Sequence, residues 1–227
     1  TAGGGGVGGK GLSSGADPGG PGGAIVLKGL LQAQQSLTLT AGSGGEGSIF
    51  NPAVGGDGGT GGSIQVDVAQ HFAANARLTP GAGGPGAPGT LTAGAAGAAG
   101  VVTGKRLDLS ATGSLSIDGA VSATAAAAGG SGDISLKAGQ GPGAALTVSG
   151  PLSASDEGAN LTLQGYSVSL PGHLTADRLR ITSATGIGAP DKPLQATVRQ
   201  MALDSTGSGG IYVSNLGDLV VAAAIAD

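Results

Sequence analysis

Alternating apolar and polar residues recur along most of the chain in short runs, most of them four to six residues long. Glycine, proline, asparagine, aspartate or serine bounds each run. A side-chain period of two is typical of β-strands, and the bounding residues are typical of turns. The predicted strands lie in 24–29, 36–45, 63–68, 90–93, 106–110, 114–119, 133–139, 145–150, 160–165, 167–170, 178–182, 201–205, 210–214 and 218–222.

The spacing of the runs indicates a repeating architecture. Strands come in close pairs, and the pairs recur at roughly twenty to thirty residues, which is typical of a solenoid or a propeller. A propeller blade needs about forty residues and aromatic motifs, and a β-sandwich needs an aromatic anchor. No window has the apolar stripe of an amphipathic helix. The nearest candidate, Ala120–Ala128, is interpreted as a strand that runs into a loop.

The amino-acid composition favours the solenoid. Glycine accounts for 50 of 227 residues, and there are two Phe, two Tyr and no Trp. A parallel β-helix stacks Leu, Ile, Val and Ala from one narrow coil on the next, so it needs no aromatic core. Glycine suits its corners, and the glycine-rich stretches 42–62 and 80–100 are expected to bulge outward as loops. The sequence thus predicts an all-β parallel β-helix, with about nine coils spaced by about 4.8 Å.

Residues 1–23 show no apolar periodicity and are predicted to be a Gly-rich low-complexity segment, with the parallel β-helix in 24–227. The chain starts at Thr1 without an initiator Met or a charged and apolar leader, so we expect it to be a piece of a longer chain. A polyglycine II bundle built from the glycine-rich segments alone is an alternative, but it would leave the strands unexplained.

Charge and cysteine content exclude several classes of function. The net charge is −4, and the ten Lys and Arg are scattered, which argues against a nucleic-acid partner. The chain has no Cys, so it has neither disulfides nor thiolate metal sites. No apolar run is long enough to span a bilayer.

The glycine-rich motifs do not match nucleotide sites. Gly56, Gly58 and Gly61 have the G-x-G-x-x-G spacing, but they precede a strand and no helix follows. Gly4 to Lys10 has the spacing of a phosphate-binding loop, but Gly11 replaces the hydroxyl residue that would bind magnesium. No cofactor is predicted.

Calcium is the other ligand that glycine-rich turns hold. The stretch GGDGGTGGS has Thr60 where a calcium β-roll needs aspartate, and the motif does not repeat. Asp17, Asp57 and Asp133 stand alone among glycines and are predicted to cap turns. No metal-binding residue is therefore predicted.

Candidate catalytic residues are few. His71 and His173 lie far apart in sequence, and each is expected to be an exposed or loop residue. The one adjacent acidic pair, Asp156-Glu157, would point to opposite faces of a strand. Tyr166 and Tyr212 have no basic cluster near them, whereas sugar sites usually need aromatic platforms. We therefore predict no catalytic residue and no enzyme activity.

Threonine pairs such as Thr38 and Thr40 raise the possibility of an ice-binding ladder. They occur once per repeating unit at most, without the regular array that such a surface needs. Cross-strand packing explains them.

The segment Arg178–Val221 carries a more specific pattern. It contains Gly186-Ile187-Gly188, then Pro193-Leu194, then Ser208–Val213, then Gly217-Asp218-Leu219. In these features it resembles the repeats of filamentous-haemagglutinin-like giant surface adhesins of Gram-negative bacteria, which use two-partner secretion. Glycine-rich blocks that lead into strands elsewhere in the chain have a similar texture.

The resemblance implies a right-handed parallel β-helix (solenoid) with Gly-rich loops, secreted and forming the shaft of an adhesin or matrix fibre. Such proteins are commonly exported through an outer-membrane partner. The family's secretion domain carries an Asn-Pro-Asn-Gly type motif, and the nearest stretch here, Asn51-Pro52-Ala53-Val54, departs from it. The segment is therefore expected to belong to the shaft region, and the family supplies no catalytic residues.

The leading hypothesis is a structural or adhesive module of a secreted or cell-surface protein, acting as a rigid shaft or as a filament subunit. Its expected partners are flanking coils or identical subunits stacked end to end, and also host or cell-surface glycans or proteins. The competing hypothesis is a carbohydrate-binding or carbohydrate-cleaving β-helix. The outward residues distinguish them, because Asp, Lys, Arg and Tyr that converge on one face favour the carbohydrate enzyme, and scattered Ser and Thr favour the shaft.

Overall fold

The structure, a computed structural model, describes residues 16–31, 35–51, 53–124, 132–154 and 156–222. These residues form 22 strands, numbered in chain order, and contain no helix. The all-β prediction is therefore confirmed. The phosphate-loop spacing at Gly4–Lys10, Pro52 of the Asn51–Val54 stretch and residues 125–128 of the alanine-rich stretch lie outside the described residues.

Three sheets account for all strands except one hairpin. The eight-stranded sheet contains, in spatial order, β1 (Ile25–Leu27), β5 (Ile64–Val66), β8 (Val101–Gly104), β11 (Ala120–Ala123), β14 (Leu152–Ala154), β17 (Leu174–Thr175), β19 (Leu194–Thr197) and β21 (Val213–Asn215). The seven-stranded sheet contains β6 (Gln70–Phe72), β9 (Leu107–Ala111), β12 (Ile134–Lys137), β15 (Asn160–Gly165), β18 (Arg178–Ser183), β20 (Gln200–Ser205) and β22 (Val220–Val221). The five-stranded sheet contains β2 (Leu37–Thr40), β7 (Ala76–Thr79), β10 (Leu115–Ile117), β13 (Ala145–Val148) and β16 (Ser167–Ser169). The hairpin is β3 (Ile49–Asn51) and β4 (Val54–Gly55).

The chain visits the three sheets in turn. From β9 in the seven-stranded sheet it passes to β10 in the five-stranded sheet and to β11 in the eight-stranded sheet. It then returns to the seven-stranded sheet as β12, which pairs in parallel with β9. Each circuit is one coil of a parallel β-helix, as predicted. The longest sheet has eight strands, close to the nine coils expected.

The core of the coils is a set of stacked apolar columns. Leu107, Ile134, Leu161, Leu179 and Met201 occupy equivalent positions of successive strands in the seven-stranded sheet. All five side chains are buried. Because each residue stacks on its counterpart one coil away, aliphatic side chains fill most of the interior. Phe72 on β6 is the one buried aromatic side chain among the described residues.

The predicted strands overlap observed strands with one exception. Residues 90–93 form no strand, and Thr92 makes only an isolated bridge with Val54. Ala120–Ala123 is a strand, as interpreted from the sequence. Eight strands of two to four residues were not predicted, because runs this short carry little periodicity. They are β3, β4, β6, β7, β8, β14, β17 and β19.

The chain divides into two compact units. The coil unit contains residues 27–38, 66–77 and 103–222, with the gaps given above. The glycine unit contains residues 16–26, 39–65 and 78–102. This division differs from the predicted 1–23 and 24–227, because the glycine-rich stretches within 39–65 and 78–102 belong with the N-terminal glycines.

The glycine unit consists of five extended segments joined by main-chain hydrogen bonds. The segments are 16–24, 41–48, 55–63, 80–88 and 93–100. Every third residue donates to the same neighbouring segment. Gly56, Gly59 and Gly62 donate to carbonyl groups of segment 41–48 over 2.7–2.8 Å. Gly58 and Gly61 donate to segment 93–100, each over 2.8 Å.

This period of three identifies the segments as polyglycine II helices. In a β-strand the donors to one neighbour alternate with a period of two, whereas a polyproline II-type helix has three residues per turn and no internal hydrogen bonds. Segments 16–24, 55–63 and 93–100 run parallel in one row, and segments 41–48 and 80–88 form a second, antiparallel row. Each segment therefore bonds only to its neighbours.

Glycine is required in this unit because the main chains approach closely. A Cβ added at Gly58 would lie 1.8 Å from the carbonyl oxygen of Gly84, and one at Gly59 would lie 2.1 Å from that of Gly20. The third residue of each turn points outward, as exposed Asp57 and Thr60 do. In the pattern Gly-Gly-x, the two glycines therefore contact neighbouring segments and the third residue faces the solvent.

The expectation that 42–62 and 80–100 bulge as loops is thus wrong. Loops would leave main-chain groups to water, whereas here regularly spaced donors and acceptors on adjacent segments satisfy one another. The stretch GGDGGTGGSIQV is the 55–63 segment followed by β5.

Two polar side chains, those of Gln70 and Ser183, lie in the interior of the coil unit. Gln70 on β6 is 0% exposed. Its Oε1 accepts from the Leu31 amide over 2.9 Å, and its Nε2 donates to the Gly29 carbonyl over 2.9 Å and to the Val68 carbonyl over 3.3 Å. The glutamine thus fixes the irregular stretch 29–31 by satisfying its main-chain groups.

We expect Gly58→Ala to destabilise the glycine unit by about 3 kcal/mol, because its methyl group would overlap the Gly84 carbonyl and force two segments apart. Hydrogen exchange read by mass spectrometry over 55–63 and 80–88 measures the loss of protection. Thr60→Ala, at an exposed position of the same segment, is the control and should change stability by less than about 0.5 kcal/mol. Equal protection in the two variants would contradict polyglycine packing.

We expect Gln70→Leu to lower the free energy of unfolding by about 2 kcal/mol, because the Leu31 amide and the Gly29 carbonyl lose their buried partner. Urea unfolding measures this change. Gln195→Leu, at an exposed glutamine on β19, is the matched control and should be close to neutral. If both variants unfold at the same urea concentration, Gln70 has no such role.

Candidate binding face

The seven-stranded sheet carries a polar groove on its outer surface. The groove has a volume of about 710 Å³. Its side chains alternate with the buried columns, so they project from five successive strands, β9, β12, β15, β18 and β20. We call this surface the outer face. Its polar lining residues are Arg106, Asp108, Asp133, Ser135, Lys137, Asn160, Thr162, Gln164, Arg180, Thr182 and Asp204.

The strand register aligns these residues in columns. Asp108, Ser135, Thr162 and Arg180 form one column. The next column contains Ser110, Lys137, Gln164, Thr182 and Asp204. Within these two columns the side-chain charge across the five strands is negative, positive, neutral, positive and negative. Arg106 and Asp133, which precede β9 and β12, add one further charge of each sign to the groove.

The charged side chains at the centre of the outer face do not neutralise one another by contact. The structure records no ion pair between Lys137, Arg180, Asp108 or Asp204 and any other residue that it describes. At the edge of the groove, Asp133 differs, because its Oδ1 accepts from the Asn160 amide over 2.8 Å and from Asn160 Nδ2 over 3.3 Å. The central charges remain available to a ligand.

A second charged cluster lies where the chain turns from the eight-stranded to the seven-stranded sheet. Asp177 and Arg199 occupy this corner in successive coils, and the Arg199 guanidinium contacts the Asp177 carboxylate. The Gly158 amide donates to Asp177 Oδ2 over 3.0 Å. Glu157 lies 3.8 Å from Arg199 but is 89% exposed, so that contact contributes little.

This corner cluster lowers the pKa of Asp177 below its ordinary value of 3.8. The hydrogen bond from Arg199 is the main cause; burial opposes it, and the charge of Arg199 and the Gly158 amide add to it. The same contact raises the pKa of Arg199. The arrangement is a structural ion pair that joins two coils.

The two histidines are exposed strand or turn residues. His71 lies on β6 and its Nδ1 is 2.6 Å from Ser110 Oγ. His173 precedes β17 and its Nε2 is 2.8 Å from Thr197 Oγ1. Neither has a carboxylate partner in the described part of the chain, so neither has the second group that general acid–base catalysis uses.

The prediction that the three single aspartates cap turns is not confirmed, because two of them accept hydrogen bonds from residues one coil away rather than within their own turn. Asp57 Oδ1 accepts from the Ala95 amide over 2.7 Å, and Asp133 accepts from Asn160. Asp17 bonds through its main chain to Ser48. Over the residues that the structure describes, no group of three His, Cys, Asp or Glu is placed to hold a metal ion.

The positions of the tyrosines and of the Thr38–Thr40 pair indicate neither a sugar-stacking platform nor an ice-binding array in the described residues. Neither Tyr166 nor Tyr212 lines the groove of the outer face. Thr38 and Thr40 lie on β2, the terminal strand of the five-stranded sheet. The eight-stranded sheet has one column of hydroxyl side chains, formed by Ser122, Ser153, Thr175 and Thr197. It is one residue wide, unlike a Thr-x-Thr array.

Sequence reasoning did not find the outer face. Its charges are single residues in separate strands, and their alignment depends on the length of each coil. The alternation in 106–110, 133–139, 160–165 and 178–182 gave the outward positions, but not which of them become neighbours.

Comparison with protein-family models, with curated proteins and with solved structures finds no match for this chain. The described residues also contain no helix that is long and apolar enough to cross a membrane.

We expect an acid-dependent loss of stability that requires Asp177. Because its folded-state pKa is lowered, the ion pair stabilises the fold above the unfolded pKa of about 3.9, and this contribution is lost as the pH falls through the folded pKa. Asp177→Asn should therefore lower the melting temperature at pH 7 and flatten its decline between about pH 5 and pH 2. Thermal unfolding followed by circular dichroism measures both. Asp204→Asn is the control, and an identical acid decline in both variants would exclude the ion pair as its cause.

Proposed function

We propose that the chain is a structural and adhesive module of a secreted bacterial surface protein or extracellular fibre. In this function the stacked coils form a rigid shaft, or identical chains join end to end. The resemblance of Arg178–Val221 to filamentous-haemagglutinin-like repeats supports an extracellular location and an adhesin-type parent. The observation that carries the proposal is the last coil of the coil unit.

The last coil that the structure describes has unpaired strand edges among the described residues. β21 and β22 are terminal strands of their sheets, so one edge of each has no strand partner among the described residues. Val221 stands in register with buried Met201, at the end of the column of Leu161 and Leu179, yet it is 72% exposed. Leu216 in the same coil is 73% exposed. An interior position exposed beside an unpaired edge is suited to accept another strand.

The occupant that fits this edge is a further coil. Parallel pairing needs a strand whose apolar residues fall in the register of Val221. The chain's own coils have this pattern, and the opposite terminal strands of the sheets are β1, β2 and β6. A second copy therefore supplies both the apolar column and the main-chain groups.

A second candidate function is carbohydrate binding. The outer face has charged side chains of both signs and amide and hydroxyl groups along one groove, rather than scattered Ser and Thr. This arrangement favours a saccharide ligand over an inert shaft surface. It is compatible with the first function, because an adhesin needs both a shaft and a surface that binds.

We expect the 227-residue chain to associate lengthwise with increasing concentration, and Val221→Lys to weaken this association by about tenfold or more, because it places an ammonium group on the open apolar column. Sedimentation velocity and electron microscopy of particle length measure it. Leu91→Lys is the control, since Leu91 is 84% exposed in the glycine unit and the charge change is the same. A strictly monomeric chain, or equal loss in both variants, would overturn end-to-end stacking.

A further inference from the structure

We propose that the outer face binds an acidic oligosaccharide of low charge density, with the carboxylate of a terminal unit held between Lys137 and Arg180 and neutral sugar units extending from it along the groove. This inference rests on the second candidate function and adds the ligand class and the contacting residues.

The two cations are placed to hold one group. Lys137 on β12 is in register with Gln164, and Arg180 on β18 is in register with Thr162. Both partners lie on β15, the strand between them. Two strand spacings of about 4.8 Å and one two-residue step put the Cα atoms of Lys137 and Arg180 about 12 Å apart. Each side chain covers half of that distance, so both reach an anion above β15.

The groups beneath that point complete an anion site. Thr162 offers a hydroxyl and Gln164 an amide at the middle of the groove, and both side chains are half-buried. A carboxylate there would receive charge-assisted hydrogen bonds from Lys137 and Arg180 and neutral ones from β15.

The flanking carboxylates determine which anions fit. Asp108 on β9 lies one strand beyond Lys137, and Asp204 on β20 lies one strand beyond Arg180. Each is therefore about 10 Å from the central strand along the sheet. A polymer with a negative charge on every unit would meet repulsion chiefly from Asp204, because Arg106 lies two residues before Asp108 in the same groove and offsets its charge. This is discrimination by an unfavourable contact.

Neutral sugar units suit the same positions. Carboxylates accept hydrogen bonds from hydroxyl groups, so Asp108 and Asp204 favour hydroxylated neighbours of the acidic unit. An extended saccharide advances per ring by a distance close to the strand spacing of about 4.8 Å. A ligand with its terminal acidic unit over β15 therefore places its next neutral units over β18 and β20, the second of them beside Asp204. Nucleic acid fits poorly, because the groove is not net basic at its ends and has no aromatic side chain for stacking.

Three tetrasaccharides of similar length test this assignment by isothermal titration calorimetry on the 227-residue protein. They are glucuronosyl-xylotriose with one carboxylate, xylotetraose with none, and tetragalacturonate with four. We expect glucuronosyl-xylotriose to bind about tenfold more tightly than either of the others. Tightest binding of tetragalacturonate or of a DNA oligonucleotide, or no binding of any saccharide, would overturn the proposal.

Single substitutions on the outer face test which residues contact the ligand. Lys137→Gln and Arg180→Gln should each weaken binding of glucuronosyl-xylotriose by about tenfold. Lys192→Gln removes the same charge from another surface and should leave binding unchanged. The double variant Asp108→Asn with Asp204→Asn should tighten binding of tetragalacturonate. Unchanged affinity in both cation variants, or no gain in the double variant, would refute the assigned roles.

The same binding assay tests this proposal independently of the proposal that the chain forms a shaft. Val221→Lys alters the open coil but not the outer face, so it should bind glucuronosyl-xylotriose as the unchanged chain does. If binding persists while association fails in every variant, the shaft is wrong and the binding face stands. If association persists without saccharide binding, the reverse holds.

Discussion

Main-chain hydrogen bonding to the residue one coil further along the chain is the constraint on which the rest of the structure depends. In the N-terminal half this partner lies close to 38 residues away, in strands and glycine segments alike. Leu37 bonds to Asn75 in the five-stranded sheet, and Gly44 bonds to Ala82 between polyglycine helices. Because side chains alternate with a period of two in a strand and three in a polyglycine helix, one inserted residue would misplace every following side chain.

That constraint explains the composition. In the central segment 55–63 of the glycine unit the main chains are so close that two of every three positions have no room for a Cβ, and glycine occupies each of these positions. The third position faces solvent and accepts Asp57, Thr60 or Pro85. Proline fits there because a neighbouring residue makes the donor bond. In the coil unit the interior is a few columns wide per sheet face, so Leu, Ile and Val fill most of it. Phe72 is the one aromatic side chain buried there among the residues that the structure describes.

The sequence predicted the coils better than the glycine unit or the binding face, for physical reasons. Alternation within a strand is local, so β9, β12 and β15 were found from their own residues. The triplet spacing of Gly56, Gly59 and Gly62 was equally visible, but a polyglycine helix has no internal hydrogen bonds and is defined only by its neighbours. The outer face depends on unequal coil lengths, which bring Lys137, Gln164 and Thr182 into one column. Nothing in the sequence around each residue specifies that alignment.

In the two proposals, the unpaired edge of the last coil and the outer face act together. Strand addition at β22 would extend the seven-stranded sheet, and each added copy would present its own Lys137–Arg180 pair at a fixed distance along the stack. A single saccharide contact without aromatic stacking gives weak binding. Repetition on a rigid stack converts weak contacts to a long polymer into avidity, because later contacts form at high effective concentration. The same in-register stacking that fixes the fold would then also set the spacing of its binding sites.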